Sequence, residues 1–276
     1  MEPPAVTRDL HHHRFNFKSA LATSGSSETI VTNSPAPDAA PPSQRTENRC
    51  DATILVLSWE DVLAPMTYLQ QRIGLHPTRT ALTSVRQMLM QDDYLQRALL
   101  AIEGQMLCLL ETATQIGSVY ILTQQSARFM EATCAAFFPR VGNRLMGDQN
   151  SEFVSLIPVI KVIETPKELA EFEDLGTRRV RAIQRVCIDA GAQVRSQQGE
   201  RVSLICVSAV ESDILACLRA VESVSCVLPK CIQVKSGNCG ESCGLLTLEV
   251  FYAQLRTLQQ YLLSVAAHPS AFSMRL

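Results

Sequence analysis

A hydroxyl and two carboxylates follow the first apolar run of the chain. The run "ATILVL" leads into "SWEDVLAP", which contains Ser58, Glu60 and Asp61. Carboxylates can transfer protons or hold a cation, and a serine hydroxyl becomes a nucleophile once a base removes its proton. The three side chains therefore indicate a catalytic site or the remains of one. Glu60 and Asp61 also have a structural explanation, as the exposed rim of a loop.

Polar residues also follow two later apolar runs. Thr123 ends "SVYILT", while Ser208 and Glu211 follow "RVSLICV". Ligands of parallel sheets bind at the carboxyl ends of the strands, so these positions are candidates for the same site. Structural alternatives exist here too, because Thr123 can form a cap or turn and Glu211 can favour a helix dipole.

The elements that must position these residues alternate along the chain. Helical spacing of apolar residues between 94 and 117 predicts a long helix with Gly117 as its stop. Strands alternating with helices predict an α/β fold, with a Rossmann-like, mainly parallel sheet of about five strands flanked by helices. The predicted strands are "ATILVL", "SVYILT", the second half of "FVSLIPVIKVIE", "RVSLICV" and "KCIQVK". A helical insertion at about 66–116 follows the first strand, and its low glycine content predicts packed helices.

Composition narrows the class of protein. The 276 residues are 46% hydrophobic and carry a net charge of −2, so nothing indicates nucleic-acid binding. No apolar run approaches the ~20 residues of a membrane span. Residues 1–50 are rich in Ser, Pro, Ala and Thr and predict a disordered tail, while residues 51–276 predict the α/β domain. Without an export signal we expect an intracellular protein, with the cytoplasm favoured and a mitochondrial transit peptide as the alternative.

The first of these segments resembles the haloacid dehalogenase (HAD) superfamily. A eukaryotic branch of that superfamily has a first motif that reads D-W-D-D-T-L-x-P, and this chain has "S-W-E-D-V-L-A-P". The matching residues are Trp59, Asp61, Leu63 and Pro65. Val62 takes the place of the Thr in the motif.

The resemblance extends in the same order to the other family motifs, and covers about residues 52–266. Thr123 of "I-L-T-Q" matches the second motif, a Thr or Ser that ends a strand. The third motif is a Lys at a helix start, where "GTRRVRAI" offers Arg178 or Arg179, although both also fit a solvated helix face. The fourth motif reads G-D-S-x-x-E, and "C-V-S-A-V-E" matches at Ser208 and Glu211, with Val207 where an Asp is expected.

The resemblance implies what active relatives do at these positions. Their first Asp attacks a phosphoryl group and binds Mg²⁺ together with the Asp of the fourth motif, and a second acid protonates the leaving oxygen. Here Ser58 and Val207 replace the two ligating carboxylates, while Glu60 retains a carboxyl group for proton transfer. We therefore expect no catalytic residue and no cofactor, and the motif positions become vestigial: Ser58, Glu60, Thr123, Arg178, Arg179 and Val207. If the chain is an enzyme after all, Asp61 and Glu211 are weak candidates for Mg²⁺.

Four cysteines cluster near the end of the chain. Cys226, Cys231, Cys239 and Cys243 lie within 18 residues and could close a tetrahedral Zn²⁺ site. Their C-x4-C and C-x3-C spacings differ from the C-x2-C pairs of zinc ribbons, and Cys231 falls in a predicted strand. Ordinary reduced thiols are the favoured interpretation, with zinc binding and redox sensing as alternatives.

These observations lead to one hypothesis and two alternatives. The favoured hypothesis is a catalytically inactive HAD-like domain that acts as a binding or scaffolding module in a protein complex. The first alternative is a Mg²⁺-dependent phosphatase or phosphotransferase that uses Glu60, Asp61 and Thr123. The second is a zinc-stabilised interaction domain. The sequence does not identify the protein partner.

Overall fold

The computed structural model of the protein describes residues 52–75, 87, 89, 91–146, 160–165, 174–222, 224, 227–236 and 246–276. The predicted tail at 1–50 lies outside these residues. So do Cys226, Cys239 and Cys243, and part of the predicted helical insertion.

Strands and helices alternate in the described residues and build one parallel sheet. The elements are β1 (Ala52–Ser58), α1 (Met66–Ile73), α2 (Asp93–Ile116), β2 (Ser118–Thr123), α3 (Ala127–Phe137), α4 (Pro139–Met146), β3 (Lys161–Glu164), α5 (Leu175–Asp189), α6 (Ala192–Gln197), β4 (Val202–Ser208), α7 (Glu211–Glu222), β5 (Val227–Gln233), α8 (Leu248–Ala267) and β6 (Phe272–Arg275). The strand order is β3-β2-β1-β4-β5-β6, and every neighbouring pair is parallel. This order reverses direction between β1 and β4, which is the switch point where doubly wound folds bind ligands.

Each face of the sheet is covered by its own set of helices. Leu55 and Leu57 of β1 pack into a core with α1–α4 and α8. Ile54 and Val56 pack into a second core with α5–α7. Because successive side chains of a strand lie on opposite faces, both faces require apolar residues. The segment "ATILVL" meets this requirement except at Thr53, whose hydroxyl lies 3.2 Å from that of Ser203. The burial of both faces explains why the strands appear as continuous apolar runs.

Local signals set the helix ends. The Ser126 hydroxyl accepts a hydrogen bond from the Phe129 amide at 3.3 Å, and Asp92 accepts one from the Leu95 amide at 3.0 Å. Both are N-terminal caps. Gly117 ends α2, as predicted, and a Cβ there would lie 1.9 Å from the carbonyl oxygen of Thr53. Glycine is therefore required at this point because the chain leaves α2 directly against the backbone of β1.

A buried lysine donates a hydrogen bond to the C-terminal end of a helix. Lys230 of β5 is fully buried, and its Nζ donates to the carbonyl oxygen of Ala266 at 2.7 Å. That carbonyl lies in the last turn of α8, where the helix dipole is negative. The contact joins the C-terminal end of α8 to β5, the strand next to the β6 edge of the sheet.

The predicted fold class is confirmed, with differences at one edge. The α/β architecture, the parallel sheet and a helical insertion after β1 are all present. The sheet has six strands in the described residues, because "FSMR" adds β6 beside β5 although it is not an apolar run. The fifth strand also begins earlier than predicted, at Val227, and includes Pro229. Since β6 pairs with β5 only from Lys230 onwards, the missing amide of Pro229 interrupts no pairing with β6.

None of the described helices combines the length and the apolar character that crossing a bilayer demands.

Candidate functional site

Two serines lie side by side at the switch point of the sheet. Leu57 of β1 is in register with Val207 of β4, so Ser58 and Ser208 follow at the carboxyl ends of these adjacent strands. Both are buried. Val207 packs into the core formed with α1–α4 and α8, whereas Ser208 and Ser58 reach a common partner.

That partner is Asp213, in the first turn of α7. Its Oδ2 accepts hydrogen bonds from Ser208 Oγ at 2.7 Å and from Ser58 Oγ at 3.4 Å. The carboxylate therefore bridges the carboxyl ends of the two adjacent strands at the switch point. Asp213 is buried, and it was not among the residues predicted from the sequence.

A sequence signal for Asp213 did exist. Asp213 precedes Ala216, Cys217 and Ala220 at spacings of three, four and seven residues, and all four are buried on the inner side of α7. An acidic residue on the apolar stripe of an amphipathic helix must find a partner inside the protein. The family resemblance instead predicted Glu211 as the acidic residue of this segment.

The charge of Asp213 is balanced by Arg179 of α5. Arg179 Nε lies 2.7 Å from Asp213 Oδ1, and Nη1 donates to the hydroxyl of Ser212. The two side chains of this ion pair are only 4% and 2% exposed. Of the two arginines that the sequence offered, Arg179 is thus inside the site and not on a solvated face, whereas Arg178 is partly exposed.

Glu60 joins the loop after β1 to the loop after β2. Its Oε1 accepts hydrogen bonds from Thr123 Oγ1 at 2.7 Å and from the Gln124 amide at 3.0 Å. Thr123 Oγ1 in turn accepts from the Gln125 amide at 3.1 Å, so Thr123 forms the turn that ends β2. Burial raises the pKa of Glu60, the hydrogen bonds from Thr123 and Gln124 oppose this rise, and the charge of Asp213 adds to it.

Asp61 holds the loop that leads into α1. Its Oδ1 accepts from the Thr67 amide at 2.9 Å and its Oδ2 from Thr67 Oγ1 at 2.5 Å. Its backbone has φ of 57°, a left-handed conformation that Asp tolerates better than most residues, and its carbonyl accepts from Gln254 of α8. Asp61 is buried, so the exposed-rim interpretation is wrong for this residue.

The other predicted positions lie apart from these contacts. Glu211 is exposed and pairs with Arg275 of β6 at 3.4 Å. Val62 is buried in the core formed with α1–α4 and α8, and Trp59 packs in the same core as α1. Asp61 and Glu211, the weak magnesium candidates, therefore have structural partners.

Of the four cysteines in the predicted zinc cluster, Cys231 is the one that lies in the described residues. It is buried opposite Cys206 of β4, and Cys217 of α7 contacts both. A hydrogen bond from the Cys217 thiol lowers the pKa of Cys231. Within the described residues, no three His, Cys, Asp or Glu side chains form a group that could hold a metal ion.

The residues at the switch point do not fit the Mg²⁺ ion that the family resemblance implies. Mg²⁺ requires oxygen ligands in near-octahedral geometry, usually including one or two carboxylates. Asp213 already has Arg179 at Oδ1 and two hydroxyl donors at Oδ2. Glu60 is held by its own two donors. A cation would have to displace a guanidinium of the same sign of charge.

Comparison of the chain with protein-family models, with curated proteins and with solved structures found no match. The geometry of the site is therefore the basis for a functional proposal.

The buried ion pair leads to a prediction about stability. Asp213→Asn keeps an oxygen acceptor for the two serines but leaves the Arg179 charge uncompensated, so we expect it to lower the free energy of unfolding by about 3–5 kcal/mol. The double variant Arg179→Met/Asp213→Asn removes both charges and should recover most of this loss. Urea denaturation followed by circular dichroism measures all three chains.

The exposed pair Arg195–Glu200, whose side chains are 46% and 35% exposed, supplies the matched control. Glu200→Gln should change the free energy of unfolding by less than about 1 kcal/mol. A double variant that is no more stable than Asp213→Asn would contradict the coupling of Arg179 and Asp213.

The raised pKa of Glu60 leads to a prediction about pH. A carboxyl group whose folded pKa exceeds its unfolded value stabilises the fold below the unfolded pKa, and this stabilisation is lost as pH rises through the folded pKa. Gln at position 60 keeps an acceptor for Thr123 and Gln124 and cannot ionise. We expect Glu60→Gln to match the wild type near about pH 4 and to have the higher melting temperature near about pH 8.

Thermal unfolding across this pH range tests the sign. Glu60→Ala, which removes the acceptor for both hydrogen bonds, serves as a comparison and should be destabilised at every pH. An advantage of Glu60→Gln that shrinks towards high pH would show that the charged carboxylate stabilises the fold.

Proposed function

We propose that this chain is a HAD-like domain that does not transfer phosphoryl groups and that acts as a binding or scaffolding module in a protein complex. The observation that carries the proposal is the buried Arg179–Asp213 pair, with Ser58 and Ser208 bonded to the same carboxylate. These contacts fill the switch-point crevice with groups that satisfy one another.

The chemistry of phosphoryl transfer argues for the same conclusion. Hydrolysis of a phosphate monoester demands accelerations of up to about 10²¹-fold, mostly from positioning and charge neutralisation. The attacking position carries the Ser58 hydroxyl, and the carboxylate that its hydroxyl contacts is the one paired with Arg179. The guanidinium is engaged by Asp213 and Ser212, so binding a phosphate would require those contacts to break.

One observation favours the rival hypothesis of a Mg²⁺-dependent phosphatase or phosphotransferase. The raised pKa of Glu60 keeps a larger fraction of this carboxyl group protonated, as a general acid requires. Against this, Thr123 donates its hydroxyl hydrogen to Glu60, which fixes both groups in a contact between two loops. Glu60 in the proposed module is therefore a structural link.

Exposed apolar side chains on α2 and α8 offer a surface for the proposed binding role. Leu100 of α2 is 59% exposed, and Tyr261 and Leu263 of α8 are 57% and 59% exposed. These two helices pack against each other on one face of the sheet. In the proposal this helical face, together with the N-terminal segment 1–50, contacts the protein partner.

The enzymatic half of the proposal is tested by hydrolysis of a generic aryl phosphate. Wild type, Ser58→Ala and Glu60→Gln should show the same background rate with and without Mg²⁺. The carboxylate that Ser58 contacts is paired with Arg179, and the described residues form no metal site. Mg²⁺ with beryllium fluoride, a phosphoryl mimic, should produce no thermal shift in the wild type. Turnover by the wild type clearly above that of Ser58→Ala would sink the proposal.

The binding half requires the protein to occur with others. In extracts of its native source it should elute from size exclusion well above the 30.4 kDa of the single chain, and the recombinant chain should not. Elution of the native protein at the position of the recombinant chain, in dilute and concentrated extracts alike, would contradict a scaffolding role.

A further inference from the structure

A cavity of about 480 Å³ lies at the amino ends of β1 and β2. It is lined by the first residues of both strands, by Lys161 at the start of β3, by the end of α5 and by Arg195 of α6. Because the strands are parallel, this edge of the sheet is opposite the switch point. The volume falls in the range of small-molecule sites, about 300–1,000 Å³. The cavity is therefore a candidate binding site that is separate from Ser58, Ser208 and Asp213.

Three polar side chains of this cavity hold one another in position. Asp189 Oδ2 accepts hydrogen bonds from Tyr120 Oη at 2.7 Å and from Lys161 Nζ at 2.5 Å. Lys161 Nζ also lies 5.8 Å from the centre of the Tyr120 ring, within reach of a cation–π contact. The hydrogen bonds from Lys161 and Tyr120 hold the pKa of Asp189 below its usual range, so the ammonium keeps a charged partner. The charge of Lys161 is thus positioned before any ligand binds.

The charged side chains that line the cavity are rich in hydrogen-bond donors. Among the described residues, Lys161 Nζ donates to Asp189 alone, and the Arg195 side chain donates to Glu200 alone, at 3.2 Å. An ammonium group has three donors and a guanidinium five, so most of these N–H groups can turn to a ligand. Carboxylate or similar anionic oxygens are the acceptors with which such donors form their strongest hydrogen bonds.

Apolar residues complete the lining. Ile54, Ile116 and Val119 contribute to it, and the Tyr120 side chain in the wall is only 3% exposed. Apolar walls with a few convergent polar groups are usual in small-molecule sites, where the polar groups fix the orientation of the ligand. The lining therefore suits a ligand that has a charged head and an apolar body.

We propose that this cavity binds a small organic anion, with a carboxylate or another oxyanion head against Lys161 and Arg195 and an apolar body in the cavity. The proposal goes beyond the proposed function, which concerns the switch point and a protein partner, and it does not depend on that function. An inorganic anion lacks the apolar body and should bind weakly here.

The test is the thermal unfolding of the wild-type chain with about 5 mM 3-phenylpropionate at constant ionic strength. The neutral 3-phenylpropanol and the cationic 3-phenylpropylamine have the same body and serve as comparisons, and acetate supplies the head alone. We expect 3-phenylpropionate to raise the melting temperature by about 2 °C or more and the three comparison compounds to leave it unchanged. Benzylphosphonate shows whether a phosphonate head is accepted as well as a carboxylate.

Variants of the lining locate the response. Lys161→Gln and Arg195→Gln each remove one cation from a partly exposed side chain and should lose most of the shift. Arg256→Gln on α8 is the matched control, because Arg256 is exposed and lies outside the lining, and it should keep the full shift. Ser118→Phe adds a ring at the mouth of the cavity and should abolish the response while circular dichroism remains native.

The results decide the proposal in either direction. A shift with the alcohol or the amine as large as that with 3-phenylpropionate would overturn it, and so would equal shifts in Lys161→Gln, Arg195→Gln and Arg256→Gln. A wild type that responds to neither 3-phenylpropionate nor benzylphosphonate would overturn it as well. Each of these results leaves the proposed function standing, since that function is tested by turnover and by the elution of the native protein.

Discussion

The buried carboxylate of Asp213 needs a positively charged partner, and this need determines which side chains meet at the carboxyl ends of β1 and β4. Asp213 lies at the carboxyl ends of the adjacent strands β1 and β4, and desolvating its charge without compensation would cost several kcal/mol. Arg179 supplies the counter-charge from α5, and Ser58 and Ser208 donate to the same group. One side chain therefore connects two strands and two helices. The usual ligand-binding crevice of this topology is held by internal contacts, and its polar groups are engaged with one another.

Much of the fold follows from the sequence because burial on both sides leaves a simple pattern. A strand covered by helices on two faces must be mostly apolar, and this is why "ATILVL" and "RVSLICV" were recognisable. The edge strand β6 was not predicted because "FSMR" is short and its residues alternate between half-buried and exposed. Its pairing comes from the neighbouring β5 and not from its own composition.

The site was only partly predictable, for a reason that lies in packing. The strand ends located Ser58, Glu60 and Thr123, since topology brings the carboxyl ends of parallel strands to one edge. Which polar residue of a following helix reaches that edge depends on helix rotation, and this selected Asp213 over Glu211. The choice of Arg179 over Arg178 has the same origin, because adjacent residues of a helix point about 100° apart.

The long sequence separations within this network bear on the order of events in folding. Ser58 and Asp213 are 155 residues apart, so their contact can form only after β1 has closed a long loop onto β4. Until then, water solvates Asp213 and Arg179 separately and their attraction is weak. We therefore expect the network to form late in folding, so that its loss speeds unfolding more than it slows folding. On this expectation, the contacts around Asp213 determine how long the domain stays folded more than how fast it folds.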